Sequence, residues 1–368
     1  MKSPGPAPGL FASEGVERVA KERLDKPPDP GHLGWVTLAI EPSPSTALRQ
    51  AVFHAGRASA AYDASGLAGP VDALRRRREA LYATEAEGFA PVGMTELCRI
   101  LSEDAATHVE KNARFARAAH GALLRERALR GATLGPVELF DMADDLATGI
   151  LGGGRSLRPD PEDPSASRAE TAADLQSIVQ AMSEALVEAE RTAEPADAAE
   201  FLRWIYRRPE LNQADRHARR LVRLLSLRLS ERTIGFPAGL SRGITLNRSA
   251  LKDAAEDRDG FHSVLFAHWR ADLEAAARQI GDVERLRRNL LADVNRRYRR
   301  RSPLIEPTVD YLLSHPVSSI GNAARTLAIT GRGAGLIFLR LKAAGILEQR
   351  DDKQKNRTFV CPRAAEAV

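Results

Sequence analysis

Tyr206-Arg207-Arg208-Pro209-Glu210-Leu211-Asn212-Gln213-Ala214-Asp215-Arg216-His217-Ala218-Arg219-Arg220-Leu221 is the stretch that decides how this chain is read. Upstream of it, Ala198, Phe201, Leu202 and Ile205 recur at i, i+3, i+4 and i+7, the stripe of a helix over 196–207. Downstream, Ala218, Leu221, Val222, Leu225 and Leu229 keep the same period and predict a helix over 215–231. Arg216, Arg219, Arg220 and Arg223 share the opposite face of that helix. Between the two runs lies a polar loop, 208–215, holding one proline and no glycine. A polar loop clamped between amphipathic helices and followed by an arginine stripe is a place to look for anion chemistry.

The apolar period extends outward in both directions. Helices are expected near 45–64, 70–87, 94–102, 105–130, 136–149, 166–191, 246–256, 259–280 and 282–300. Gly149–Pro164, with Gly152-Gly153-Gly154, reads as a loop; it lacks the Lys-Ser/Thr that would make the glycines a P-loop. The six prolines within 1–34 read as a flexible arm. Ser302-Pro303 marks a boundary, because a residue before proline leaves the helical region. Three parts follow: an arm over 1–34, a helical domain over 35–301 and a small α+β domain over 302–368.

Bulk properties narrow the class. The chain has 368 residues, 43% of them hydrophobic but only 5% aromatic, so small and aliphatic side chains must build the core. The formal charge of +5 permits an acidic partner without requiring one. Cys98 and Cys361 stand alone, which excludes a disulfide framework and a Cys/His zinc spacing. No apolar run approaches the ~18 residues of a membrane span, and the N-terminus carries prolines and charges instead of a signal core. No membrane partner, no metal and a cytoplasmic location are the expectations.

The decisive stretch resembles the signature of Fic-domain proteins, His-Pro-Phe-x-Asp-Gly-Asn-Gly-Arg-x-Gly-Arg. That family moves AMP or another phosphate-containing group onto a protein hydroxyl. Aligned on Pro209, the family's arginines fall on Arg216 and Arg219. The general-base histidine falls on Arg208, the magnesium-holding acid on Asn212, and Gly-Asn-Gly on Gln213-Ala214-Asp215. Guanidinium stays protonated and has no lone pair to take a proton. Losing a general base removes roughly 10²–10⁴-fold of rate. Asn212 brings no charge to a metal, and Asp215 puts a carboxylate where a phosphate would sit. The expectation is therefore a site with no catalytic residue, degenerate at Arg208, Asn212 and Asp215. Arg216 and Arg219 are left as residual phosphate contacts, and nucleotide and magnesium enter only if the site is still competent.

A second resemblance lies upstream. Arg78-Glu79-Ala80-Leu81-Tyr82-Ala83-Thr84-Glu85-Ala86-Glu87-Gly88 is similar to the inhibitory Fic element Arg-Glu-Ala-Leu-Ala-Ser-Ser-x-Ile-Glu-Gly. In the family that glutamate pairs with the second signature arginine, which implies a Glu87–Arg219 pair.

Residues 305–361 read as helices over 305–314, 318–327 and 332–344, with a hairpin over 346–361. Ser318 or Ser319 can cap the second helix. The segment resembles the winged helix-turn-helix that many Fic proteins carry at the C-terminus. The resemblance implies double-stranded DNA as partner, contacted by Thr330 and Arg332 at the start of the second helix of the motif and by Lys353, Lys355 and Arg357 on the wing. Arg285, Arg287, Arg288, Arg296, Arg297 and Arg299–Arg301 could add phosphate contacts or simply pair with Asp282, Glu284 and Asp293.

The fold expectation is thus mainly α, a Fic-like helical domain followed by a small winged-helix domain. The function expectation is a bacterial DNA-binding transcriptional regulator on a catalytically inactive body. The alternatives are a divergent Fic-type transferase, or a non-enzymatic, antitoxin-like protein-interaction role. A homodimer and a protein partner stay open.

Overall fold

Helix propensity and the 3.6-residue apolar period dominate the architecture, which a computed structural model describes for residues 43–102, 109–151, 156–158, 166–240, 248–298, 302–350 and 357–366. In chain order the elements are α1 (Pro44–Ser65), α2 (Ala68–Ala86), α3 (Met94–Ser102), α4 (Lys111–Ala128), α5 (Pro136–Leu151) and α6 (Ala166–Thr192). Then come α7 (Pro195–Arg207), α8 (Gln213–Arg220), α9 (Val222–Ile234), α10 (Arg248–Ala254) and α11 (Arg258–Arg297). The C-terminal segment holds α12 (Ile305–Ser314), β1 (Val317–Ser319), α13 (Ile320–Thr326), α14 (Gly331–Ala343), β2 (Glu348–Gln349), β3 (Thr358–Val360) and α15 (Pro362–Glu366). All belong to one compact unit, Pro42–Val368. The expected arm over 1–34, the glycine triplet 152–154, Arg299–Arg301, Lys353 and Lys355 lie outside the described residues.

Three expectations about the elements are corrected. The break between 280 and 282 does not occur: α11 runs for 40 residues through Gly281. Ile280 and Val283 flank the glycine and are both buried, so packing outweighs its poor helix propensity. The helix over 215–231 is two helices, α8 and α9, which meet at Leu221, whose N–H reaches back only three residues to the Ala218 carbonyl (3.1 Å). Val317-Ser318-Ser319 forms a strand where helix was expected. Ser319 then caps α13, its side-chain oxygen accepting the Asn322 N–H at 3.2 Å.

A large apolar core fills the helical body, from Phe115, Leu139 and Met142 through Leu175, Met182 and Leu202 to Leu225, Phe261 and Trp269. α11 lies along α1, while α4 packs against α5 and α2. A second core joins Val71 and Leu74 of α2 and Leu290 of α11 to Val309, Leu312, Phe338 and Phe359 of the C-terminal segment. Its small sheet is antiparallel in the order β1-β3-β2, with Ser318 opposite Phe359 and Gln349 opposite the same residue.

The body also encloses charges. Asp272 of α11 accepts hydrogen bonds from Arg75 (3.1 Å) and Arg78 (3.0 Å) of α2 and from the Gly239 N–H (2.9 Å). Arg75 also donates to the Pro237 carbonyl at 2.6 Å. Nearby, Arg223 approaches Glu79 at 3.5 Å and donates to the Leu240 carbonyl at 3.1 Å. Burial and the neighbouring Asp272 push the Glu79 carboxyl up to about 7, against the pull of Arg223. This network ties α2, α9 and α11 around the segment 237–240, which is what sets α2 beside α8.

Candidate functional site

Local hydrogen bonding explains the loop 208–212. Asn212 has extended backbone angles (φ −146°, ψ −176°) and its Oδ1 accepts the Asp215 N–H at 3.0 Å. Asp215 returns the favour, its Oδ2 accepting the N–H groups of Leu211 (3.1 Å) and Asn212 (3.3 Å). This reciprocal capping box satisfies one donor of α8, the Asp215 N–H, together with the two loop N–H groups that precede the helix. A carboxylate of the chain thus stands in the first turn of α8, where the helix dipole favours negative charge. Asn212 also donates through Nδ2 to Asp174 on α6 (2.9 Å), fixing the loop to the body. Arg208 sits 3.7 Å from Asp215 and stacks 5.5 Å from the Trp204 ring centre. Arg208, Asn212 and Asp215 are thus brought together as a structural strap.

The arginines divide the labour differently from expectation. Glu87 does not pair with Arg219; it pairs with Arg220, Nη2 to Oε2 at 2.9 Å. Successive residues on a helix point about 100° apart, so Arg219 and Arg220 face different walls. Arg219 turns to the loop, where it pairs with Glu210 and donates to the Arg208 carbonyl at 2.7 Å. Arg220 turns to the end of α2. Glu87 is presented there because Gly88 takes a left-handed φ of +76°, ending the helix with the Phe89 N–H folded back on the Thr84 carbonyl (3.3 Å).

His217 backs this contact. It is buried, and Arg220 Nη1 lies 2.8 Å from its Nδ1. Burial, and secondarily Arg220, lower its pKa to about 3, so the ring is neutral and Nδ1 acts as the acceptor. His217 therefore orients the arginine that holds Glu87.

These groups border a cavity of about 570 Å³, within the range of small-molecule sites. Five cations line it (Arg216, Arg219, Arg220, Arg223 and Lys252) against two acids, Glu87 and Glu210. Phe115, Leu146 and Val222 supply apolar wall. The acids are spent on Arg219 and Arg220, and Arg223 is engaged by Glu79. Arg216 and Lys252 are exposed and form no ion pair among the described residues. Lys252 comes from α10, some thirty residues downstream; nothing in the sequence near the loop points to it. Among the described residues no three His, Cys, Asp or Glu side chains gather as a metal site.

At the other end of the chain, Thr330 is spent as a cap: its Oγ1 accepts the Gly333 N–H at 3.1 Å, which starts α14. Arg332, the second residue of α14, is exposed and forms no ion pair among the described residues. Arg357 is half-buried where β3 begins. The outer face of α14 continues with Leu336 and Leu339, 56% and 48% exposed. Of the α11 arginines, Arg285, Arg288 and Arg296 pair with Asp282, Glu284 and Asp293. Arg287 bridges to Glu306 and Asp310 of α12. Four of the five described arginines of that cluster are thus held in internal ion pairs. Compared with known proteins, the chain matches no family model and no curated sequence.

Proposed function

We propose that the chain is a DNA-binding regulator, in which the C-terminal segment works as a winged helix-turn-helix and the helical body is a degenerate, Fic-like transferase scaffold. The observation that carries this reading is Arg332. It stands exposed at the N-terminal turn of α14, two residues after the Thr330 cap, with no acidic partner among the described residues. A side chain at that position of the second helix of such a motif is the one that reaches base edges or phosphate. The α13–turn–α14 order followed by the β2–β3 hairpin supports it, as does the positive net charge.

The body supports an inactive scaffold. Arg208 has no lone pair to offer, and Asp215 sets a negative charge in the first turn of α8, which disfavours a phosphate there. A divergent transferase would need a free base, and the one carboxylate of the loop 208–212, Glu210, is held in an ion pair with Arg219.

Binding to a broad duplex DNA library at low salt tests the proposal. Arg332→Ala should weaken binding by roughly 5–150-fold, as for a lost base or phosphate contact of about 1–3 kcal/mol. No binding by the wild-type chain would overturn it. One observation favours a second reading, protein docking through α14: the exposure of Leu336 and Leu339 beside Arg332. If L336S/L339S abolishes a protein complex while DNA binding is undetectable, that reading replaces the first.

A further inference from the structure

A second cavity, of about 440 Å³, lies where α2, α3 and α4 meet the α12–β1–α13 stretch. We propose that it binds a small-molecule oxyanion, a phosphate monoester or a carboxylate, through Arg77 with help from Arg76 and Arg325.

Arg77 is the anomaly on which this rests. Four consecutive arginines occupy 75–78. Arg75 and Arg78 share Asp272, and Arg76 has Asp72 at 4.0 Å. Arg77 is 4% exposed, yet no carboxylate pairs with it among the described residues, and its Nη1 has no hydrogen-bond partner. Its neighbour is the Cys98 thiol, which burial pushes up and so keeps neutral. A buried guanidinium without a counter-charge is costly, and proteins retain such groups where they meet a ligand.

The surroundings fit an anion. Among the described residues the cavity is lined by no Asp or Glu. His120 and His315 face it, and both are held neutral, by burial first and then by the positive field of Arg77 and Arg76. Arg325 on α13 is exposed, donates to Asn322 Oδ1 at 3.2 Å, forms no ion pair among the described residues, and adds a second fork from the opposite wall. Planar guanidinium forks match carboxylate and phosphate oxygens two at a time. Leu101 and Leu124 leave an apolar wall for the ligand's carbon skeleton.

The test uses the full chain in amine buffer, titrated separately with inorganic phosphate and with citrate and followed by thermal shift and by imidazole NMR. Either anion should raise the melting temperature at about 10 mM or below, which corresponds to weak but specific binding. The His120 and His315 resonances should titrate at higher pH when it is bound, and the stronger of the two anions identifies the ligand class. Arg325→Ala, at an exposed position, should weaken binding fivefold or more. Arg77→Met should abolish it and, without ligand, raise the melting temperature by removing an uncompensated charge. No shift with either anion overturns the proposal. So does an effect that survives in Arg77→Met but is lost in Arg216→Ala, which would place the anion in the other cavity. Glu103 and Asp104, next after Ser102 in the sequence, lie outside the described residues. E103Q/D104N should leave phosphate affinity within twofold, and a tenfold gain would mean that those carboxylates serve Arg77, which also overturns it.

Discussion

Arg220 holds Glu87 at 2.9 Å with its other nitrogen on His217 at 2.8 Å, so a carboxylate from the end of α2 is locked into the wall of the cationic cavity. Glu87 offsets one of five cations there, while Arg216 and Lys252 have no acidic partner among the described residues. The contact ties α2 to α8 and at the same time lowers the cavity's appetite for anions.

Glu87→Gln should therefore raise the affinity of the cavity for pyrophosphate or a nucleoside triphosphate by about tenfold, one partner of an ion pair at cavity depth being worth roughly 1.4 kcal/mol. Calorimetric titration checks this, with Glu87→Gln/Arg216→Ala expected to lose the gain. Folding stability should change by about 1 kcal/mol or less, because the pair is partly solvated.

Asn212→Ala should cost about 1 kcal/mol in urea unfolding, within the 0.5–2 range for a lost N-cap. Asp215→Ala should cost a similar amount, since it orphans the Leu211 and Asn212 N–H groups. The double variant should cost less than the sum, because the two side chains form one capping box. Strict additivity would mean that the two halves of the box act separately.

Much of this was open to sequence reading because the 3.6-residue period is strong: α3, α7 and α12 start and stop within a residue of expectation. The failures share a cause. The sequence gives the pitch of an arginine stripe but not its azimuth, so Glu87 was assigned to Arg219 when a rotation of one residue delivers it to Arg220. The sequence shows Arg78 and Glu79 only as the opening of that element; their burial against Asp272 and Arg223 is a tertiary fact. Lys252 joined the cavity from a distant helix for the same reason.

Asp272→Asn should be among the most damaging substitutions. It removes the counter-charge of two buried arginines, and breaking such a pair costs about 3–5 kcal/mol. Gly239→Ala should destabilise by a different route: a Cβ there would collide with the Glu79 carboxylate. Thermal unfolding of the two variants, with Ser226→Ala as a milder control that orphans the buried Trp269 indole N–H (2.9 Å), should rank them above the control.

Stability should fall with acid. Burial holds His120 and His217 near 3 and His268 near 4, below the ordinary 6.5. The unfolded chain then binds more protons than the folded one as pH drops below 6.5, so the stability these rings carry is present above that value and lost below it. Glu79, raised to about 7, acts in the opposite sense between its ordinary 4.5 and 7. His262 and His315 are lowered too and Glu126 is raised, so five rings stand against two carboxyls and the rings prevail, at roughly 2–4 kcal/mol per pH unit at the steepest between pH 6.5 and 4.5. Urea midpoints across that range check it, and a flat or inverted profile would show that the rings are not buried neutral.

Gly281→Ala should stabilise the chain. A helix of 40 residues carries this glycine near its middle, where an added Cβ meets nothing within 4 Å. Alanine fixes the same backbone at lower entropic cost, worth about 0.5–1 kcal/mol. The substitution also separates two accounts of α11. If the helix is continuous through 281, the variant gains stability with no change in the urea m-value. If 281 is instead a working hinge, stiffening it should cost stability or alter the cooperativity of unfolding. Ile280 and Val283, buried on either side, argue for the continuous helix, and the sign of the measured change decides between the two.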